Sequence, residues 1–294
     1  MTEVDLSAAA SFMAAHARIL DRRRFQLITG EGDPSAVLAA LDGYRNPDGG
    51  YGWGLEPDLR SPESQPAGAL HALEVYADAA PAKSPHSAAL CDWLEAVSLP
   101  DGGLPFALPV TDPAGCAPWW VRADPATSSL HITAAVAGMA HRVAATDPAV
   151  AEHPWLARAT DYCLRAIDAI DTAPPALELM YALQFLDAVH DTRPEAPPLL
   201  TRLGAYLPAD GILHVEGGTE NEALRPLDFA PLPGRPVRAL FPAEVVAGEL
   251  RRLAAAQQGD GGWPVEYTVF SPASGLEWRG YLTVRALWLL SRNR

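Results

Sequence analysis

Apolar residues return at a helical period along most of this chain. Four segments with that period, at 34–44, 87–97, 196–207 and 243–258, each lead into a turn that contains glycine. Apolar positions three to four residues apart predict an amphipathic helix, and glycine just beyond them predicts its end. We therefore expect four helices that expose one polar face each.

A second set of helices is predicted after the turns. The segments 67–79, 127–140, 176–189 and 276–290 are more uniformly apolar than the first four. A helix that is apolar on most faces belongs in the interior of a protein. The alternation of the two types predicts an outer and an inner layer.

An Asp-Gly turn marks the repeat. It begins at Asp48, Asp101, Asp210 and Asp260, and the middle interval is about twice as long as the other two. Self-similarity at about fifty residues indicates units that bury their apolar faces only by stacking on one another. The sequence thus predicts an all-α fold, a single α/α toroid of about five to six helix pairs over residues 1–294, with the inner helices around a central cavity.

One unit departs from this pattern. Residues 212–241 contain four prolines and little helical periodicity where an inner helix is due. An extended, proline-rich segment is expected to replace that helix. A regular helix of three turns in this span would contradict the prediction.

Composition excludes several classes of partner. The net charge of -14, with no basic stripe, disfavours nucleic acid and anionic membranes. No apolar run approaches the roughly 18 to 20 residues that span a bilayer. Residues 1–20 begin with acidic residues and show helical spacing, which predicts a structural helix and not a secretory signal. A cytoplasmic location is expected, and the oligomeric state stays open.

The string QQGDGGW at 257–263, which a predicted helix precedes, resembles the QW-type repeats of squalene-hopene cyclases. The chain is also similar to the glycine-rich repeats of protein prenyltransferase β subunits. This resemblance to the terpenoid cyclase superfamily, with its prenyltransferase and squalene oxidase repeat, extends over nearly the whole chain. It implies that Gln257 and Trp263 are structural, and that the activity is that of a lyase or isomerase.

The catalytic signatures of that superfamily do not carry over. The D-x-D-D acid motif of class II terpene cyclases is absent, and the nearest string is Glu-Pro-Asp at 56–58. The Asp-Tyr-Cys string at 161–163 matches the prenyltransferase zinc pair in letters, but no histidine follows at the expected distance. The resemblance is thus specific for the fold and weak for the activity.

Aromatic residues are concentrated in the segments that follow the turns, which hold five of the eight tryptophans. Such rings suit an apolar or flat ligand, or a cation held over their faces, although filling gaps between helices explains any single ring equally well. The predicted substrate-binding residues are Trp53, Trp119, Trp120, Phe229, Trp278 and Arg279, with Phe106 on the same rim.

Four titratable residues occupy comparable places near the starts of the inner helices: His71, His131, Glu178 and Glu277. If the helices are equivalent around a ring, these side chains converge at one end of the cavity. There they could exchange a proton or hold a divalent metal, and no other cofactor is predicted. The alternative is ordinary core histidines, and glutamates that complement helix dipoles.

A second catalytic candidate is the pair Glu56 and Asp58 on the loop after the first turn. Paired carboxylates can act as acid and base if burial separates their pKa values, whereas capping and turn hydrogen bonds are the structural alternative. Asp228 is a further candidate because the surrounding sequence offers no structural role for it.

Three functions remain open at this stage. The first is a terpene cyclase-like enzyme that acts on an apolar, isoprenoid-like small molecule by acid/base chemistry. The second is a carbohydrate-active lyase or hydrolase, since tryptophan platforms also stack on sugars. The third is a non-catalytic ligand-binding or scaffold protein, which requires no cluster of perturbed titratable groups.

Overall fold

The computed structural model describes residues 4–294 and is mostly helical, as predicted for an all-α protein. The helices are α1 (Leu6–His16), α2 (Ile19–Ile28), α3 (Pro34–Leu41), α4 (Pro66–Ala79), α5 (Ser87–Val97), α6 (Pro118–Val121), α7 (Leu130–Ala144), α8 (Pro148–Ala151), α9 (Pro154–Asp168), α10 (Ala176–Val189), α11 (Ala196–Gly204), α12 (Pro226–Phe229), α13 (Ala243–Ala255) and α14 (Pro272–Arg292). Two strands, β1 (Leu213–His214) and β2 (Ala223–Leu224), pair antiparallel.

The most deeply buried helices are α4, α7 and α10, and α7 packs between the other two. Their apolar residues on almost every face explain this position. His131 stacks on Tyr181, and a Cβ atom added to Gly138 would lie 3.3 Å from the Cα atom of Phe185. Residue numbers thus rise together along α7 and α10, so these two helices run parallel.

The last helix contacts the first two. α14 packs against α1, α2 and α13, and α2 also packs against α3 and α4. Near the crossing, a Cβ atom added to Gly280 would lie 3.0 Å from the Cβ atom of Ala17. The first two helices and the last helix therefore lie side by side.

Residues 212–241 contain no regular helix of three turns, as predicted. The segment forms the short β1–β2 hairpin, the four-residue α12 and a 3-10 helix at Pro236–Leu240. Pro226 and Pro236 stand at the first helical positions, where the missing N–H is tolerated.

The helix predicted over residues 1–20 is two helices in the described part of the chain. Ala17 is extended, with φ -81° and ψ 155°, and separates α1 from α2. Arg18 then donates hydrogen bonds to the carbonyl oxygens of Gly54 and Leu55, at 3.2 and 3.0 Å. The break thus anchors the loop that follows the first glycine turn.

No helix in residues 4–294 is both long enough and apolar enough to cross a membrane. Cys91, Cys116 and Cys163 are free and buried. The cytoplasmic location stays a prediction.

Candidate active site

A histidine held between two carboxylates lies where α4 meets the loop at 51–65. The His71 Nε2 atom is 3.0 Å from Glu56 Oε2, and its Nδ1 atom is 3.1 Å from Glu74 Oε2. Burial disfavours charge on the ring, but Glu74 and Glu56 outweigh it and raise the pKa of His71 to about 9. The ring is therefore an imidazolium at neutral pH.

Local structure explains this arrangement. His71 and Glu74 are three residues apart on α4 and thus share one face of the helix. Glu56 is fixed because its Oε1 atom accepts the Asp58 N–H at 3.0 Å. The carboxylate that binds His71 is therefore also part of the loop's own turn.

Glu74 has two further partners. The Tyr281 hydroxyl donates to its Oε1 atom at 2.9 Å, and Arg24 lies 4.0 Å from its Oε2 atom. Burial alone would raise the pKa of Glu74, but His71 and Arg24 lower it to about 2. Glu74 is therefore a charged carboxylate that ties α2, α4 and α14 together.

Asp58 is a buried acid beside this cluster. It is 4% exposed, and its Oδ2 atom accepts the Trp278 indole N–H at 2.8 Å. Its Oδ1 atom has no hydrogen-bond partner among the described residues. Burial raises the pKa of Asp58, and the charge of nearby Glu56 adds to the shift. The Trp278 ring also meets the edges of His71 and Tyr281, at centroid distances of 6.1 and 5.5 Å.

Glu74 and Tyr281 face a cavity of about 120 Å³ between α4, α7, α10 and α14, which we call the inner-helix cavity. Its apolar wall includes Leu70, Ala134, Gly138, Met139, Met180, Tyr181 and Trp288. Its polar wall comprises Arg24, Glu74, Asp78, Arg142, Tyr281 and Arg285, with Gln184 beside them. This cavity could hold an apolar molecule against one buried carboxylate.

A second cavity of about 220 Å³, the α13 cavity, lies between α13, α14 and the segment around α12. It shares Arg285 and Leu289 with the inner-helix cavity. Its charged residues are largely paired, for example Glu249 with Arg252 at 2.8 Å. Asp228 lines this cavity and binds Arg285 at 2.8 Å, which makes it an ion-pair partner in the structure.

The four residues compared near the inner-helix starts have separate surroundings. His131 stacks between Tyr181 and Phe106, and burial lowers its pKa to about 4. Burial raises the pKa of Glu178, which forms no hydrogen bond or ion pair with the described residues. Glu277 binds Arg60 at 2.6 Å and is half-buried at the surface.

Register explains part of this separation. His71 and Glu277 lie five residues into α4 and α14, whereas His131 and Glu178 lie in the first turns of α7 and α10. Glu277, although at the same depth as His71, binds Arg60 instead of joining the cluster. Residues 4–294 contain no group of three or more His, Cys, Asp or Glu side chains arranged to hold a metal ion. The structure thus does not provide the metal site considered for these four residues.

The predicted aromatic rim divides into three groups. Trp278 lies at the cluster, and Trp120 stacks on Phe106 with a centroid distance of 4.6 Å. Trp53 and Trp119 are 59% and 46% exposed. They lie on the protein surface, away from the two cavities.

Two predicted ligand contacts are structural. Phe229 is fully buried against Phe241, so no ligand reaches it. Arg279 binds Asp260 through two hydrogen bonds of 2.8 and 2.7 Å and lies over the Phe12 ring. The guanidinium group of Arg279 is therefore fully occupied by its bonds to the turn after α13.

Four residues of the site were not predicted from the sequence: Glu74, Tyr281, Arg24 and Arg285. The prediction concerned the starts of the inner helices, whereas these groups lie further along α4 and α14 and on α2. A signal was present, because two helices that are otherwise apolar each carry a polar stripe at helical spacing. The stripes are His71, Glu74 and Asp78 on α4, and Trp278, Tyr281, Arg285 and Trp288 on α14.

No family model and no curated protein matches this chain. Among solved structures, it is similar to a protein from Actinoplanes, with 17% sequence identity and a TM-score of 0.51. The match covers 97% of this chain and 88% of that one. At this identity the likeness concerns the fold alone.

Proposed function

We propose that the protein is a terpene cyclase-like enzyme, a lyase or isomerase that moves protons on an apolar, alkene-containing small molecule in the inner-helix cavity. One observation carries the proposal: Glu74, on the cavity wall, binds both the His71 imidazolium and the Tyr281 hydroxyl. A carboxylate, an imidazolium and a phenol in contact form a proton-transfer group beside an apolar space.

The proposal includes the fold. Successive contacts run from α2 through α4, α7, α10, α12, α13 and α14 back to α2, which supports a closed α/α toroid. Gln257 adds support, because its side chain bonds to the backbone of Asp5 at 2.8 and 2.9 Å. In this arrangement residues 212–241 take the place of one inner helix.

In the proposed reaction Glu74 first donates a proton to the substrate and then accepts one from it. A proton passes from His71 Nδ1 to Glu74 and then to an alkene carbon, which leaves a carbocation in the cavity. Its surroundings lower the pKa of Glu74 to about 2, so the protonated form is a stronger acid than an ordinary glutamic acid. Loss of a proton from a neighbouring carbon to Glu74 gives an isomer with the same atoms.

Aromatic rings line the cavity, and their faces attract positive charge. One face of each ring is already occupied: His131 stacks on Tyr181, Arg24 lies over Tyr281 and Arg142 lies over Trp288. The proposed carbocation would therefore contact the opposite faces, beside the apolar part of the wall. Asp58, protonated more readily than an exposed aspartate, is a second acid behind Trp278.

These features also distinguish the proposed enzyme from a carbohydrate-active enzyme and from a scaffold protein. A sugar would require polar groups on all sides of the cleft, whereas one wall of the inner-helix cavity is formed by leucine, methionine and aromatic side chains and the polar groups lie on the other. A scaffold would need no buried group of shifted pKa values, and His71 with Glu74 is such a group. Both observations favour an enzyme with an apolar substrate.

The test is direct assay of the purified protein with geraniol and farnesol and with the acid and the diphosphate that correspond to each alcohol. Gas chromatography with mass spectrometry should detect isomers or cyclised products. Glu74→Gln should lower the rate at least about 100-fold, as expected for loss of general acid/base catalysis. Glu195→Gln, which changes an exposed carboxylate on the surface, should leave the rate unchanged. Full activity of Glu74→Gln would refute the proposal.

A further inference from the structure

We propose that the inner-helix cavity recognises a carboxylate through Arg142, so that the molecule it takes is an apolar carboxylic acid. The inference rests on the proposed function in assuming that the molecule held here is also the substrate. Three arguments carry it: the absence of partners at Arg142, the ion pairs of the other two arginines and the axial separation of Tyr281 and Trp288 along α14.

Arg142 is the cavity's available cation. It lies in the last turn of α7, and its guanidinium group is 5.5 Å from the centroid of the Trp288 ring. It is an exposed residue, and it forms no hydrogen bond or ion pair with any residue from 4 to 294. The contact with the Trp288 ring holds the guanidinium group at the cavity and leaves its N–H groups available to a ligand.

The other two arginines of the cavity are already neutralised. Arg24 binds Asp78 through Nε and a terminal nitrogen, at 2.9 and 2.8 Å. Arg285 binds Asp228 at 2.8 Å. One guanidinium group therefore remains, which suits a single negative charge.

The geometry of the guanidinium group determines which kind of anionic group it binds best. Two parallel N–H groups match the two oxygens of a carboxylate. A diphosphate carries more charge and needs several cations or a metal ion, whereas the cavity offers one unpaired arginine and lies beside the carboxylates of Glu74 and Asp78. The cavity thus favours a carboxylate over a diphosphate.

The position of Arg142 also sets the length of the ligand. His71 contacts Trp278 and Glu74 contacts Tyr281, so α4 and α14 run parallel. From Tyr281 to Trp288, α14 advances seven residues, or about 10 Å at 1.5 Å per residue.

Apolar side chains fill the distance between these two levels. Leu70, Met139 and Met180 line the cavity there, and Ala134 and Gly138 of α7 leave room between them. A ligand anchored at Arg142 therefore places a carbon about 10 Å from its carboxylate beside Glu74. This describes an unsaturated acid whose reactive double bond is far from the acid group.

The experiment compares farnesoic acid, farnesol and farnesyl diphosphate as ligands of the intact protein by isothermal titration calorimetry. These three probes have one hydrocarbon chain and differ in the head group. Farnesoic acid should bind at least about tenfold more tightly than the other two, the contribution of one charge-assisted contact. Equal or tighter binding of farnesol or of the diphosphate, or no binding of the acid, would overturn the inference.

Variants test the assignment to Arg142. Arg142→Gln should weaken farnesoic acid about 10- to 100-fold and leave farnesol unchanged. Arg142→Lys should retain part of the affinity, because it keeps the charge and loses the fork. Arg251→Gln, at an exposed arginine outside both cavities, should bind like the unmodified protein. An unchanged affinity in Arg142→Gln would place the carboxylate elsewhere and refute the assignment.

Binding and turnover are separate readouts. Tight, Arg142-dependent binding of the acid without any product would keep this inference and remove the proposed function. Product formation together with equal affinities for farnesol and farnesoic acid would keep the proposed function and remove this inference.

Discussion

Trp278 of α14 donates its indole N–H to Asp58 at 2.8 Å, although 220 residues separate them. The bond joins the loop after the first glycine turn to the last helix. Burial raises the pKa of Asp58, and the Ser274 side chain and the Phe270 backbone act with Trp278 as hydrogen-bond partners that oppose this rise.

Trp278→Phe should therefore destabilise the protein by about 1 to 3 kcal/mol, because it removes a hydrogen bond from a buried carboxyl group. Urea unfolding followed by circular dichroism measures the change. Trp120→Phe is a matched control, since the Trp120 indole N–H is buried and has no hydrogen-bond partner among residues 4–294. Equal losses in the two variants would show that ring size, and not the hydrogen bond, is responsible.

The stability should also depend on pH through His71. Its pKa rises from 6.5 to about 9 on folding, so the folded state holds the proton more tightly than the unfolded chain. The resulting stabilisation is complete below pH 6.5 and is lost as the pH rises through 9. The loss should reach about 3 kcal/mol at most.

Urea unfolding at intervals from pH 6 to pH 9.5 measures this decline. In His71→Gln the decline should flatten, whatever the stability of the variant at pH 6. A constant free energy of unfolding in the unmodified protein would show that His71 does not gain its proton on folding.

Much of the fold follows from local pattern. The predicted ranges 87–97 and 176–189 coincide with α5 and α10, and the absence of a long helix from 212–241 follows from its prolines. The break between α1 and α2 does not follow from local pattern. It accompanies the bonds of Arg18 to backbone carbonyls 36 and 37 residues away.

The candidate site also contains features that the sequence predicts and features that it does not. Glu56, Asp58, His71 and Trp278 are recognisable one by one as polar or aromatic residues in unusual places. Their pairing is not recognisable from the sequence, because it depends on contacts of α14 with α4 and its preceding loop, more than 200 residues apart in sequence. Register also separates His131 from His71, since the four compared positions lie at different depths in their helices. The single-domain toroid stays a prediction.

Gly68→Ala should destabilise the protein and disturb the cluster. Gly68 lies in α4, and a Cβ atom there would be 2.2 Å from the carbonyl oxygen of Tyr51, which is backbone and cannot swing aside. The cost should be about 1 to 3 kcal/mol or more, as for other overpacked sites. Urea unfolding measures it.

Gly43→Ala is the control for this substitution, because a Cβ atom at Gly43 meets nothing within 4 Å. Moving the 51–65 loop away from α4 should also separate Glu56 from His71. A lower His71 pKa in Gly68→Ala, measured by nuclear magnetic resonance, would report that separation. An unaltered stability would show that α4 and the loop are less closely packed than the structure indicates.

Gln257→Ala should loosen the contact between the two ends of the chain. The Gln257 side chain accepts the Asp5 N–H at 2.9 Å and donates to the Asp5 carbonyl oxygen at 2.8 Å, just before α1 begins. It also donates to the Gly261 carbonyl oxygen at 3.0 Å. The loss of these three hydrogen bonds should cost about 2 to 4 kcal/mol together. Because the bonds hold α1 to the turn after α13, hydrogen exchange should accelerate first in α1.

Gln258→Ala is the control, since Gln258 bonds only to the nearby Ala256 carbonyl through its side chain. Faster exchange spread evenly over all helices, or equal effects of the two variants, would argue against a ring that depends on this contact.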